Sequence, residues 1–276
     1  MWWAILISVL TLPLFVAPSL AELLGWRINS VITRLMLIGS VIVLLCWLGL
    51  PRPKVLFASL GETPVRSVTR ALAITVGVCV LYSTALIWLG AESLRTWEEF
   101  KNPHRFLMGL LTGLGVSFVE EPIFRRLLLN KLSIRRNVVV GSVLSSLLYA
   151  LIHYVRPDKV DRKEEYSLED SFAVYRDMLG NFLEPVADPL PGLGLFLLGL
   201  LLCAVVRRGG LAWTIGIHSG VVYYIKVDSC FVWWKLEENA RHPFYGSEAV
   251  KYDAWLFCIV CASLLVAILA LSKPRK

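Results

Sequence analysis

The chain of 276 residues is too apolar for an ordinary cytosolic domain. Hydrophobic residues make up 57% of it and charged residues 18%, where soluble domains carry about 25% charged residues, and its mean hydropathy is +0.65. This composition excludes a disordered chain, a coiled coil and a nucleic-acid-binding tail. The apolar residues form long blocks without charge, which is typical of a membrane protein with several spanning helices.

Eight apolar segments follow one another along the chain, and we interpret each as a spanning helix. Seven have the length that a spanning helix needs, roughly 17–25 residues. The fourth is too short unless its helix continues through Glu120 and Glu121 to Leu129, and we expect this continuation. The segments are Met1–Ala21, Leu35–Pro51, Ala71–Ala91, Phe106–Val119, Asn137–Val155, Pro189–Val206, Gly209–Ile225 and Ala254–Ser272. The sequence therefore predicts an all-α bundle in one integral membrane domain, residues 1–276.

The distribution of basic residues predicts the orientation of this bundle. The loops after the even-numbered helices carry 14 Lys and Arg residues against one acid, Glu62, whereas nine acids lie in the segment Arg156–Asp188. Because basic loops remain in the cytoplasm, we expect both termini there and an acidic extracytoplasmic loop over residues 154–190. The net charge of +7 then reflects topology and contact with membrane lipid, and we expect no nucleic-acid partner.

Four ionisable side chains interrupt the predicted spanning helices. Glu120 and Glu121 lie in the fourth helix, His153 in the fifth and His218 in the seventh. Such groups are costly in the membrane, about 2.5–3.5 kcal/mol for Asp at a helix centre, and usually serve a function. A carboxylate and two imidazoles from three helices form the minimum set for a water-activating site, with or without a metal. The predicted depths of Glu120 and His153 differ by about 10 Å or more, so the fold must bring them together.

The two adjacent glutamates are expected to differ in role. Glu121 and Arg125 are i, i+4 neighbours in the acid-first order that favours an ion pair. Glu120 lies on another face of the helix, where a cavity would leave it free to act as a base. Pro122 removes a backbone donor and favours a kink. In the alternative interpretation both glutamates are solvated at the cytoplasmic interface and pair with Arg125, Arg126 and Lys131.

Small residues predict close helix packing around these side chains. Gly109 and Gly113 are four residues apart in the fourth helix, and Gly216, Ser219 and Gly220 surround His218. Small residues let helix backbones approach one another in membranes. We therefore expect the fourth and seventh helices to pack tightly against their neighbours.

Three motifs in order resemble the CPBP family, the CAAX-protease and bacteriocin-processing intramembrane proteases, which includes the CAAX endopeptidases. They are Glu120-Glu121-x-x-x-Arg125, the aromatic-x-x-x-His pattern of Tyr149 and His153, and the helix that carries His218. The resemblance covers roughly Arg105–Lys226, the expected catalytic core.

The resemblance implies roles for these residues. Glu120 matches the glutamate that activates water, and His153 matches the histidine that orients it or shares its proton. His218 matches the histidine assigned to oxyanion stabilisation, or to zinc in the metalloprotease interpretation, where Glu120, His153 and His218 would be the ligands. Glu121 and Arg125 match the neighbouring motif residues. We expect chemistry without a cofactor, because two histidines and one carboxylate are a thin ligand set.

The chain departs from the family pattern at two positions. Tyr149 stands where the family usually has Phe, and Val222 stands where the third motif commonly has Asn. Since valine cannot donate a hydrogen bond to an oxyanion, one expected helper is missing. Our hypothesis is that the hydroxyl of Tyr149 or of Ser219 partly replaces it; alternatively Tyr149 only packs and the enzyme is slow.

The resemblance implies an intramembrane endopeptidase of a bacterial inner membrane. Its substrate would be a membrane-proximal, lipidated or C-terminal peptide that enters from the bilayer. Two other functions stay open at this point. Val222 favours a catalytically inactive immunity or scaffold protein, and a relay through Glu120, His153 and His218 would suit a proton-coupled transporter.

Overall fold

The computed structural model describes residues 2–48, 60, 63–95, 104–135, 137–154, 163, 165–187, 189–234 and 254–270. Within these ranges every one of the eight predicted apolar segments contains a helix, which confirms the all-α fold class. Three described helices are long and apolar enough to cross a membrane, namely Pro64–Trp88, His104–Ser133 and Leu190–Gly209. The number of spans and the side on which the termini lie stay predictions.

The helices in chain order are α1 (Trp2–Leu24), α2 (Ile28–Leu48), α3 (Pro64–Trp88), α4 (His104–Glu121), α5 (Leu129–Arg135), α6 (Val138–Ile152), α7 (Leu168–Ala187), α8 (Leu190–Gly209), α9 (Leu211–Val227) and α10 (Trp255–Ala270). A π-helical segment, Pro122–Leu128, joins α4 to α5, and a 3₁₀ turn, Asp228–Cys230, follows α9. Two short strands, β1 (Glu92–Leu94) and β2 (Val232–Trp234), pair antiparallel with Glu92 opposite Trp234.

The chain divides into two compact units, and the first comprises residues 1–50 and 151–189. Its core lies between α1, α2 and α7, where Val174 and Met178 of α7 pack with Ala21 and Ile32. Helix α7 lies inside the segment that the sequence predicts as an acidic loop over residues 154–190. Its buried face is a narrow apolar stripe among charged residues, so hydropathy alone does not reveal the helix. The prediction of one domain over residues 1–276 stays a prediction.

The second unit comprises residues 51–150 and 190–276, with α9 in contact with α3, α4 and α8. Helices α3 and α9 run parallel, since Gly216 faces Val68 and Gly220 faces Thr75. Helix α4 runs antiparallel to α9, since its early residue Gly109 faces the end of α9 and Gly113 faces its middle. The predicted site residues Glu120 and Glu121 on α4 and His218 on α9 therefore lie on two helices that pack against each other.

The predicted close approach at the glycines is present. A Cβ atom at Gly113 would lie 2.7 Å from the carbonyl oxygen of Ser219, and one at Gly109 would lie 2.9 Å from Cγ2 of Val227. Real Cβ atoms do not approach a backbone oxygen so closely, and that oxygen belongs to the residue after His218. The absence of a side chain at Gly113 thus sets how near α4 can bring its glutamates to His218.

Pro122 marks a change in helix type rather than an end. Proline has no N–H, so the α-helical bond from residue 122 to residue 118 cannot form. The backbone adopts π-helical geometry over Pro122–Leu128 and continues into α5. The prediction that the helix continues past Glu120 and Glu121 is confirmed. Single π-helical turns inside α-helices occur frequently at functional sites.

We expect Gly113→Ala to destabilise the second unit, because the new Cβ must push α4 away from the backbone of α9. Overpacking of this kind costs roughly 1–3 kcal/mol. Thermal unfolding in detergent micelles should show a lowered midpoint. Gly115→Ala is the matched control, since a Cβ there has no atom within 4 Å. An equal effect of both variants would contradict the close approach at Gly113.

Candidate active site

His218 lies at the centre of a buried polar cluster. Its side chain is 3% exposed, and its Nδ1 lies 2.9 Å from Oε1 of Glu121. Its Nε2 lies 3.4 Å from the hydroxyl of Tyr149 and 3.9 Å from Oε2 of Glu120. Helices α4 and α6 thus bring three of the predicted site residues around the imidazole ring of His218 on α9.

Glu121 and Arg125 form the ion pair that their spacing predicts. Arg125 Nε lies 3.4 Å from Glu121 Oε2, and both side chains are fully buried. The interpretation that both glutamates are solvated at an interface is therefore wrong for Glu121. Two buried opposite charges stabilise each other only when both remain in place, because either one alone would be an uncompensated charge in a low-dielectric interior.

The surroundings of Arg125 come from residues that the sequence did not single out. Its Nη1 lies 3.4 Å from the hydroxyl of Ser145 on α6 and 3.4 Å from the thiol of Cys203 on α8. Ser145 in turn donates to the carbonyl oxygen of Phe124 at 3.1 Å. The sequence signal for Ser145 is the small size of the residues where two helices meet. Gly199 of α8 packs closely on Ser146, the residue next to Ser145.

Tyr149 links Arg125 to His218. Its side chain is buried, and the Arg125 guanidinium lies over its ring, 5.0 Å from the centroid. The tyrosine ring meets the rings of Phe124 and His218 edge to face, with centroids 5.4 Å and 5.9 Å apart. These contacts fix the ring so that its hydroxyl faces Nε2 of His218.

Glu120 has surroundings that differ from those of Glu121, as expected from the sequence. Its side chain is 23% exposed, whereas Glu121 is fully buried. Its Oε2 atom is buried and has no hydrogen-bond partner among the described residues. One carboxylate of the pair is thus held by a cation and an imidazole, and the other keeps an unused acceptor that faces the same imidazole.

The three further predicted residues are Ser219, Val222 and His153. Ser219 is buried, and within the described ranges its hydroxyl has no hydrogen-bond partner. Val222 is half-buried on the next turn of α9. His153 is half-buried in the turn after α6, whose last residue is Ile152, and it belongs to the first unit. The role predicted for His153 stays a prediction.

The metal-dependent interpretation would require Glu120, His153 and His218 as ligands of one ion. Over the described part of the chain, no three or more His, Cys, Asp or Glu side chains are arranged to hold a metal ion. Nδ1 of His218 is engaged by Glu121, which leaves Nε2 as the nitrogen that faces Glu120. A structural or catalytic zinc requires at least three protein ligands.

We expect Arg125→Met to destabilise the second unit by about 3–5 kcal/mol, because Glu121 would be left as an uncompensated buried charge. The double variant Glu121→Gln with Arg125→Met should recover most of this loss, as measured by the unfolding free energy in detergent. Arg126→Met is the control, since the half-buried Arg126 has no ion pair in the described residues. A double variant no more stable than the single one would contradict the pairing.

Comparison with protein families identifies the segment that carries this cluster. Residues 102–224 match the family model described as type II CAAX prenyl endopeptidase Rce1-like. No curated protein and no solved structure was found to match the chain. The matched segment contains all three motifs, with Glu120, His153 and His218. The resemblance to the CAAX-protease and bacteriocin-processing family is therefore confirmed over residues 102–224, the segment that matches the Rce1-like model.

Proposed function

We propose that the chain is an intramembrane endopeptidase in which Glu120 activates a water molecule beside His218. The family match itself indicates CAAX-type intramembrane protease activity, and thus a peptide or protein substrate. The observation that carries the residue assignment is the unsatisfied Oε2 of Glu120, which lies 3.9 Å from Nε2 of His218. This separation is too long for a direct hydrogen bond and suits a bridging water.

The first step is attack by water on the scissile peptide carbonyl. Glu120 accepts one proton from the water as its oxygen bonds to the carbonyl carbon, and the carbonyl oxygen becomes an oxyanion. A positioned carboxylate base contributes about 10²–10⁴-fold to such a step. The side chain of Glu120 is partly exposed although Oε2 itself is buried, so the site is less enclosed at this residue than at Glu121.

His218 stabilises the oxyanion through Nε2. Nδ1 donates to Glu121, which fixes the ring so that Nε2 points towards Glu120 and Tyr149. A ring that carries a proton on both nitrogens before the attack donates from Nε2 to the oxyanion, with Glu121 as its counter-charge. Donors placed where negative charge develops, in a site shielded from bulk water, are usually the largest contribution to catalysis.

The second step breaks the carbon–nitrogen bond. Glu120 returns the proton to the departing nitrogen, which leaves as an amine, while the carbonyl re-forms as a carboxylic acid. We assign to His153 the role of orienting Glu120 or sharing its proton, as the resemblance implies. Glu121 and Arg125 are positioning residues, because they act on the substrate only through His218 and Tyr149.

The setting of the site supports a substrate drawn from the membrane. Glu120 lies in a helix long and apolar enough to span a bilayer, His104–Ser133. We therefore propose that the protein cleaves a membrane-proximal, lipidated or C-terminal peptide in a bacterial inner membrane. We also propose that it uses no metal, since no three His, Cys, Asp or Glu side chains among the described residues are arranged to hold one.

Glu120→Gln should lower the turnover of a prenylated C-terminal peptide by about 10²–10⁴-fold, because the amide cannot accept the proton. The assay uses purified protein in liposomes and a fluorogenic peptide. Glu169→Gln, in the first turn of α7, is the matched control with unchanged turnover. Unfolding midpoints should agree among wild type and both variants.

Three other outcomes of this assay would change the proposal. Turnover of Glu120→Gln at the wild-type level would remove Glu120 from the chemistry. Loss of wild-type turnover in a chelator, with recovery on added zinc, would favour the metal-dependent interpretation. A wild-type protein that binds the peptide without cleaving it would favour the inactive immunity or scaffold protein.

Tyr149 is our candidate for the donor that Val222 cannot supply. Its hydroxyl lies 3.4 Å from Nε2 of His218, on the same side of the imidazole as Glu120. An oxyanion bound by Nε2 would therefore lie near this hydroxyl as well. Support for Ser219 is weaker, since no contact with His218 beyond their adjacency in the chain brings it into the cluster.

Tyr149→Phe should lower kcat by about 10²–10³-fold with little change in KM, because the lost donor acts mainly on the oxyanion. The ring and its packing on Phe124 remain in this variant. Tyr223→Phe, on α9 but away from the cluster, is the control. Unchanged kcat in Tyr149→Phe would show that the tyrosine only packs.

A further inference from the structure

Apart from the cluster around His218, the second unit contains an apolar cavity of about 370 Å³ between α3, α8, α9 and α10. Ile217 and Val221 of α9 line it, whereas His218 between them in sequence points towards α4 and α6. Exposed residues Ile74 and Leu264 lie at its edge, so the cavity opens on the surface of the unit. Its volume falls within the range of sites that bind small molecules, about 300–1,000 Å³.

The hydroxyl groups of the cavity walls are already used within the protein. Thr75 donates to the carbonyl oxygen of Ala71 at 2.8 Å, and the hydroxyl of Tyr224 lies 2.8 Å from that of Ser83. The walls therefore present mainly hydrocarbon and thiol groups. A peptide would leave its backbone N–H and C=O groups unsatisfied there, and water has too few partners. A hydrocarbon chain fits this lining.

One end of the cavity is basic. Arg208, in the last turn of α8, lines this end together with Trp213. Helix α3 begins at the same end, because its residues Val68 and Ala71 face Gly216 near the start of α9. The exposed Arg66 and Arg70 lie in the first turns of α3. Since these helices begin or end here, the arginines lie where a membrane places its headgroups.

We propose that this cavity binds one acyl chain of an anionic phospholipid, whose phosphate contacts Arg208. The apolar walls fit the chain, and the basic end fits the negative headgroup. Arginine is suited to phosphate because its planar guanidinium donates two parallel hydrogen bonds. The site is separate from the cluster around His218, so lipid binding does not rest on the proposed proteolysis.

Native mass spectrometry of the full chain tests the proposal, after removal of endogenous lipid and addition of phosphatidylglycerol or phosphatidylcholine with identical acyl chains. We expect one phosphatidylglycerol to bind per chain and to be retained about fivefold better than phosphatidylcholine. This ratio is what one contact between an arginine and an anionic headgroup contributes. Arg208→Gln should abolish this preference. Arg207→Gln is the matched control, since Arg207 is exposed and does not line the cavity.

Filling the cavity provides a test that is independent of charge. Val78→Trp and Leu264→Trp place a large side chain in it from opposite walls and should abolish retention of both lipids. Leu81→Trp, at an exposed position of α3 outside the cavity lining, should retain the lipid. The use of two cavity variants covers the case in which one of them fails to fold.

Three results would overturn the proposal. One is wild-type retention of phosphatidylglycerol by both cavity variants, and another is equal retention of the two lipids by the wild-type protein. The third is displacement of the lipid, one for one, by a farnesylated peptide but not by the same peptide without its farnesyl group. That displacement would assign the cavity to a hydrocarbon chain carried by the substrate.

Discussion

The buried ion pair between Glu121 and Arg125 is the interaction on which the rest of the site depends. Both side chains have lost their water, and each is compensated chiefly by the other. The pair also orients its neighbours. Glu121 accepts a hydrogen bond from Nδ1 of His218, and Arg125 lies over the ring of Tyr149. Two charges on adjacent turns of one helix thereby set the orientation of aromatic rings on two other helices.

This arrangement divides the tasks of two neighbouring carboxylates. Glu121 is occupied by a cation and an imidazole, which makes it a poor proton acceptor for a substrate. Glu120 shares no such contact in the described residues, keeps part of its surface exposed, and faces the opposite nitrogen of the same imidazole. In the proposed mechanism, Glu121 orients the imidazole and Glu120 is the base. The difference arises from helix geometry, since consecutive residues point about 100° apart.

The local parts of this site could be predicted from the sequence, and the parts that depend on helix packing could not. The spacing of Glu121 and Arg125 predicts their contact because i and i+4 residues share a helix face. The sequence indicates Tyr149 through its spacing to His153 and offers its hydroxyl as a replacement donor, but it does not predict a contact with His218. Its contact with His218 depends on how α6 packs against α9, which no local pattern encodes. Helix α7 was missed for another reason, because its buried face is too narrow to raise the mean hydropathy.

The glycines connect helix packing to the chemistry proposed for Tyr149. Close contacts at Gly113 and Gly216 hold α4 and α3 against α9, so the backbone around His218 has little freedom to shift. Val222 lies one turn after His218 on α9 and cannot donate a hydrogen bond. A small movement of α9 therefore cannot bring another donor into its place. A replacement donor must therefore come from a helix that already faces Nε2, and α6 is such a helix. In the proposed mechanism the same rigidity favours the hydroxyl of Tyr149, because a donor that is already oriented requires no reorganisation when the oxyanion forms.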